Sequence, residues 1–126
     1  MKTRITLRLD FDDTRRLGPG KIALLEAIGK LGSISAAGRE FEMSYRRAWR
    51  LTDELYQMFE SPLVETREGG KNGGGASLTD LGERVVALYR VAERKVREST
   101  VREIKSMERA LGSAAMPDHG SARPST

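Results

Sequence analysis

The chain has 126 residues, the usual size of one domain; it has no cysteine, which excludes a disulfide frame, a thiolate metal site and cysteine catalysis, and its single histidine, His119, lies in the Gly/Pro/Ser-rich tail, so histidine catalysis is not expected either. Lys and Arg number 22 against 18 Asp and Glu, a net charge of +4, so attraction to a polyanion has to come from local clustering. With 38% hydrophobic and 32% charged residues, the core is modest and a surface shared with a partner subunit is expected.

From Lys2 to Phe11, Ile5, Leu7, Leu9 and Phe11 alternate with Arg4, Thr6, Arg8 and Asp10, the pattern of a half-buried strand. This start has no signal-peptide core, and no apolar run nears the roughly 18 residues that span a bilayer, so a cytoplasmic, membrane-free location is expected. Asp12, Asp13 and Gly18-Pro19-Gly20 break the pattern. Ile22, Leu24, Leu25, Ile28 and Leu31 then recur at helical spacing up to a stop at Gly32.

Ser33 or Ser35 can cap a second helix, whose buried stripe is Ile34, Ala37 and Phe41. Small residues at Ala36, Ala37 and Gly38 allow another helix to approach closely, and Ser44 caps a third helix predicted to reach about Glu60. Two helices joined by a short turn have helix-turn-helix spacing. Ser61-Pro62 ends the third helix, and Leu63–Arg67, a glycine-rich loop and Ala76–Leu78 read as a β-hairpin wing. Thr79 caps a long final helix with apolar positions Leu81, Val85, Leu88, Ala92 and Val96, resuming at Val101, Ile104, Met107 and Leu111. The expected fold is mainly α with a small β-hairpin wing: a winged helix-turn-helix over residues 1–111 with a long C-terminal dimerisation helix, followed by a disordered tail over 112–126 that holds His119.

On a helical wheel of the third helix, Ala48, Leu51, Leu55 and Phe59 gather on one side and Arg46 and Arg50 point nearly opposite, with Arg47 and Trp49 on the flanks. Basic groups in the first two turns suit a helix that enters a major groove N-terminus first, since arginine donates two hydrogen bonds to guanine. Ser44 and Tyr45 add phosphate contacts. The same arginines also fit a solvated face on which Asp53 and Glu54 pair with Arg50, and Trp49 fits a partly buried anchor better than a base contact.

Between Gly69 and Gly75, five of seven residues are glycine, a composition that costs conformational entropy and leaves backbone N–H groups bare. Such a loop lies close to a phosphate backbone while Arg67, Lys71 and Asn72 supply contacts; as a nucleotide cradle it lacks the Gly-Lys-Ser/Thr ending and a following helix. The apolar stripe of the final helix outruns what so small a domain covers, so Val85, Leu88, Ala92 and Val96 are expected at a homodimer seam, joined by Ile22 and Leu25 of the first helix. A helix lying on its own domain is the alternative. Asp12 and Asp13 read as turn formers, not an acid–base couple, no metal-ligand spacing is present, and neither an enzyme nor a cofactor is expected.

Taken together, Gly32-Ser33-Ile34-Ser35-Ala36-Ala37, Met43-Ser44-Tyr45-Arg46-Arg47-Ala48-Trp49, Pro62-Leu63-Val64-Glu65, the stretch Gly69 to Ala76 and Leu78-Thr79-Asp80-Leu81-Gly82 resemble the DNA-binding domain of ModE-type molybdate-responsive regulators, from about Ile5 to about Val101. The Ser-Tyr-basic-x-Ala-Trp block and the glycine wing are specific to that family; the Gly-Ser-Ile-Ser and Leu-Thr-x-x-Gly pieces are shared with LysR-type winged helices. The resemblance implies a dimeric transcription factor on double-stranded DNA, with Ser44, Tyr45, Arg46, Arg47 and Arg50 nearest the duplex, Ser33 and Ser35 beside them, and Arg67, Lys71 and Asn72 on the flanking backbone. In the family, oxyanion-binding modules follow; here the chain stops at Thr126, so the sensor is expected to be absent, and Ser121-Ala122-Arg123 matches only the start of the oxyanion motif. A winged-helix adaptor that heterodimerises with a separate regulator or sensor protein is the competing expectation.

Overall fold

The computed structural model describes residues 2–70 and 73–113. In chain order it holds β1 (Leu9–Asp10), β2 (Arg16–Leu17), α1 (Pro19–Leu31), α2 (Ile34–Glu40), α3 (Tyr45–Met58), β3 (Val64–Gly70), β4 (Gly73–Leu78), α4 (Asp80–Ser99) and α5 (Val101–Arg109). The architecture is mainly helical, with two small antiparallel hairpins, β1–β2 and β3–β4.

Helix α1 is the centre of the molecule and packs on α2, α3, α4 and β4. Pro19 pre-sets the helical dihedral of the first turn. Ile22, Leu24, Leu25, Ala27 and Ile28 are buried, an apolar arc wide enough for a helix covered on more than one side. Each large side chain among them contributes roughly 1.5–3 kcal/mol of burial. Ile22 and Leu25, expected at a homodimer seam, belong instead to the chain's own core: both are fully enclosed by the chain itself.

Gly32 ends α1 in the left-handed region at φ 73, its N–H donating to the Ile28 carbonyl, a conformation that glycine adopts without a Cβ clash. Ser33 then caps α2, accepting from the Ala36 N–H at 3.0 Å. Gly38 lets α2 and α3 meet, since a Cβ there would stand 2.9 Å from the Ala48 Cβ. The predicted stripe fails at Phe41, which is exposed. The helix stops at Glu40, and Glu42 takes φ 55, so the chain turns away before Phe41 reaches the core. That conformation costs a non-glycine residue roughly 1–2 kcal/mol, offset here by backbone bonds such as Met43 N–H to Gly38 O at 3.0 Å.

In α3, Ala48, Thr52, Leu55 and Met58 are buried, and the Thr52 hydroxyl donates to the Ala48 carbonyl at 2.9 Å, which satisfies it inside the core. The hairpin is tied to the end of α1 and closed at its own base. Ala76 N–H donates to Gly32 O at 2.9 Å, and Thr79 N–H to Leu63 O at 3.0 Å. Thr79 also caps α4 through the Gly82 N–H at 3.0 Å.

Two expectations at the ends are corrected. Of the predicted Lys2–Phe11 strand only Leu9–Asp10 pairs, with Arg16–Leu17. Ile5, Leu7 and Leu9 are nonetheless half-buried while Thr6 and Arg8 are exposed. The alternation arises because the segment reaches α4, where the Tyr89 hydroxyl donates to Leu7 O at 2.5 Å, and burial without a neighbouring strand produces the same pattern as a ladder. The predicted single long helix is interrupted at Thr100, whose hydroxyl donates back to Val96 O at 2.7 Å, leaving α5 with no buried residue. Asp12 is a turn former as expected, accepting from the Thr14 N–H at 3.0 Å and the Arg15 N–H at 2.8 Å.

Space and charge give two tests. A Cβ on Gly82 would run into the Leu63 carbonyl, whose carbon lies 3.1 Å away, whereas nothing stands within 4 Å of one on Gly20. Gly82→Ala is expected to cost about 1–3 kcal/mol and Gly20→Ala to gain up to about 1 kcal/mol in urea unfolding; equal effects would contradict the packing at Leu63. Hydrogen bonds from Arg90 hold Glu26 below the usual carboxylate range, and those from the Arg15 side chain, with its backbone and that of Thr14, do the same to Asp12. Stability from a depressed carboxyl is complete above its unfolded value, about 4, and is lost as pH falls through the lower folded value. Urea midpoints should therefore drop in acid, and drop less steeply in the double variant Glu26→Gln, Asp12→Asn; an identical acid limb in both proteins would refute these pairings.

Candidate nucleic-acid interface

The site starts from the cap on α3. The Ser44 hydroxyl accepts from the Arg47 N–H at 3.1 Å, which fixes the first turn and directs the side chains that follow. Because Ala48, Thr52 and Leu55 face the core, Arg46 and Arg50 stand about 160° from Ala48, and both are exposed. Arg47 is exposed on the flank. None of the three forms an ion pair among the described residues. The pairing of Arg50 with Glu54 is not made: Glu54 binds Lys21 at 3.2 Å instead.

Tyr45 and Trp49 stack edge to face one turn apart, centroids 6.1 Å distant at 66°. Trp49 is 37% and Tyr45 63% exposed, so the indole is a partly covered anchor and the phenol a surface group. Together they wall an open cleft of about 290 Å³ between α3, the start of α2 and the β3–β4 hairpin, with Ser33, Ser35, Thr66 and Arg67 on its other sides. The cleft thus gathers Ser33, Ser35, Tyr45 and Arg67, while the α3 arginines lie outside it on the adjoining surface. Lys71 and Asn72 fall outside the described residues, as do His119 and Ser121-Ala122-Arg123. The Ser33 hydroxyl oxygen is engaged as a cap, but its proton is available to donate to an acceptor.

Sequence reasoning missed Trp49, Thr66, Glu68 and Gly75 as cleft residues. The i, i+4 spacing of Tyr45 and Trp49 was a usable signal for the aromatic wall; the hairpin residues depend on a register no local pattern specifies. Of the expected seam, Val85 is buried in the chain's own core, Ala92 and Val96 are half-buried, and Leu88 is 61% exposed. Among the described residues no group of three His, Cys, Asp or Glu is placed to hold a metal ion, and no helix is long and apolar enough to cross a membrane.

No protein-family model matches the chain. It is 36% identical over 121 residues to the "Molybdenum transport protein ModE" of Azotobacter vinelandii, covering 87% of this chain and 45% of that protein. It is 40% identical over 89 residues to the "DNA-binding transcriptional dual regulator ModE" of Escherichia coli strain K12, covering 71% of this chain and 34% of the relative. The "Molybdenum-pterin-binding protein MopB" of Rhodobacter capsulatus is 46% identical over 78 residues, 62% of this chain and 29% of its own length. Over most of its own length the chain is similar to ModE proteins. It spans less than half the length of each of these relatives.

Proposed function

We propose that the chain is a transcriptional regulator that binds double-stranded DNA as a homodimer through a winged helix-turn-helix, with α2 and α3 as the helix pair, α3 as the recognition helix and β3–β4 as the wing. The observation that carries this reading is the outward presentation of Arg46, Arg47 and Arg50 on the first turns of a helix whose opposite face is buried, beside a glycine-rich hairpin. A 14-residue helix is about 21 Å long, and a major groove about 12 Å wide admits it. Ser44 and Tyr45 stand at its leading end, Ser33 and Ser35 at the start of α2, and Arg67 on the wing. The names of the ModE relatives, a transcriptional regulator and a DNA-binding one among them, support the same assignment. Molybdenum-pterin in the names of the Rhodobacter relatives belongs to proteins of which the matched stretch is 29% and is not carried over.

Duplexes recovered by the chain from fragmented genomic DNA test the assignment. Affinity should fall steeply with salt, because each neutralised phosphate releases counterions, and exceed that for a scrambled duplex. Arg46→Ala with Arg50→Ala is expected to remove about 1–3 kcal/mol of discrimination per lost base contact, at little cost to folding, since both side chains are exposed. Retained preference for the recovered duplex overturns the recognition-helix assignment; loss of all duplex binding with capture of a separate regulator would favour the adaptor.

For the homodimer, the candidate seam is Leu88 with Val101, Met107 and Leu111, all exposed in the isolated chain. Sedimentation should give two subunits, and Leu88→Glu should shift the mass toward one while leaving the helical circular dichroism intact. A single-subunit mass for the unsubstituted chain at micromolar concentration would reject the seam.

A further inference from the structure

The N-terminal segment runs along α4 and α5 as a strap. The Tyr89 hydroxyl donates to Leu7 O at 2.5 Å, and the Thr3 hydroxyl donates to the Glu108 carboxylate. The strap therefore crosses the break at Thr100 and is tied to the helix on each side of it. Between strap and helices an open groove of about 280 Å³ remains, lined by Arg97, Val101, Ile104 and Lys105 on the helical side and by Lys2 and Ile5 of the strap.

The helical residues recur at i, i+4, i+7 and i+8, one face of a helix. Arg97 and Lys105 thus stand about two turns apart, at opposite ends of a floor made by Val101 and Ile104. Lys2, Arg97 and Lys105 are exposed and form no ion pair among the described residues, although Arg90 and Arg94 of α4 do. No residue of the groove lies on α2, α3 or the β3–β4 hairpin, so it is separate from the face assigned to DNA.

We propose that this groove binds a small organic acid with two anionic ends and a short apolar body, each end held by a cation and the body resting on Val101 and Ile104. The separated charges with hydrocarbon between them set that class. An inorganic oxyanion would leave the floor against water, and a neutral hydrocarbon would leave the cations unmatched. A volume just under the roughly 300–1,000 Å³ of sites for drug-sized ligands keeps the occupant small. Glu108 also lines the groove, and its carboxylate opposes an anion there, which fixes the sign of one test.

The probe is suberate, a straight-chain diacid, added to the full chain at low salt and followed by amide NMR shifts. Octanoate and the α,ω-diamine of the same length serve as its one-anion and cationic counterparts. Suberate should shift the amides of Lys2–Ile5 and Arg97–Glu108 saturably and bind about two- to fivefold tighter than octanoate, the worth of one further exposed ion pair. The diamine should leave these amides unmoved. Each methylene removed from the diacid should weaken it by up to about fourfold, as its body leaves the floor. Arg97→Gln should bring suberate down to the octanoate level, and Glu108→Gln, which keeps an acceptor for Thr3, should tighten suberate about twofold. Should Glu108→Gln loosen the strap, Lys105→Gln on the exposed face of α5 decides together with Arg97→Gln, and it too should weaken suberate. Equal shifts from the diamine, equal affinity for suberate and octanoate, or Arg97 and Lys105 variants that bind suberate as the unsubstituted chain does would each overturn the site, as would shifts as large at Arg46 and Arg50 as in the groove.

Discussion

The left-handed turn at Gly32 is the constraint on which the architecture depends. One residue closes α1 through its N–H on Ile28 and takes the Ala76 N–H on its carbonyl at 2.9 Å. Its neighbour Ser33 caps α2. Three elements thus take their relative positions from a single peptide junction: the central helix, the short helix and the return strand of the hairpin. A side chain at this φ would cost roughly 1–2 kcal/mol, so the sequence here is dictated by backbone geometry more than by burial.

Charge is organised largely by subtraction. Arg90 forks onto Glu26, with Nε and Nη2 at 2.9 and 2.7 Å from the two carboxylate oxygens, and reaches Glu93 through Nη1 at 2.9 Å. Arg8 pairs with Asp10, Arg15 with Asp12 and Lys21 with Glu54. Acidic groups on α1, α3, α4 and the first hairpin are thereby engaged, and the exposed arginines of α3 are left without such partners among the described residues. On α3 itself Glu54 is drawn to Lys21, so Arg46, Arg47 and Arg50 carry no ion pair among the described residues and present local positive charge.

What was legible in the sequence is local chemistry. Ser44 and Thr79 were readable as caps, and Ser33 as one of two candidates with Ser35; each of the three accepts the backbone N–H three positions on, a purely local contact. The wheel of α3 oriented its arginines correctly, since burying Ala48 and Leu55 dictates what faces out. The failures are tertiary. Periodicity in α1 marked Ile22 and Leu25 as apolar without saying what covers them, although the run Ile22, Leu24, Leu25, Ala27, Ile28 is too broad an arc for a surface helix. The break at Thr100 escaped because threonine is only a mild helix disfavourer, and its side-chain bond to Val96 is visible only in three dimensions. The cleft was half legible: its helix-side residues follow from sequence spacing, whereas Thr66, Glu68 and Gly75 enter through strand register.

The near contact between Gly38 and Ala48 has a mechanical meaning. With no side chain between them to yield, the close approach opposes independent sliding of α2 and α3, and the link from Gly32 to Ala76 ties the hairpin to the same body. For any double helix laid against this face, compliance has to come from the nucleic acid. Steps that are easily unstacked or bent then become favoured even where no side chain reaches them, so stiffness in a protein is itself a way of choosing among sequences.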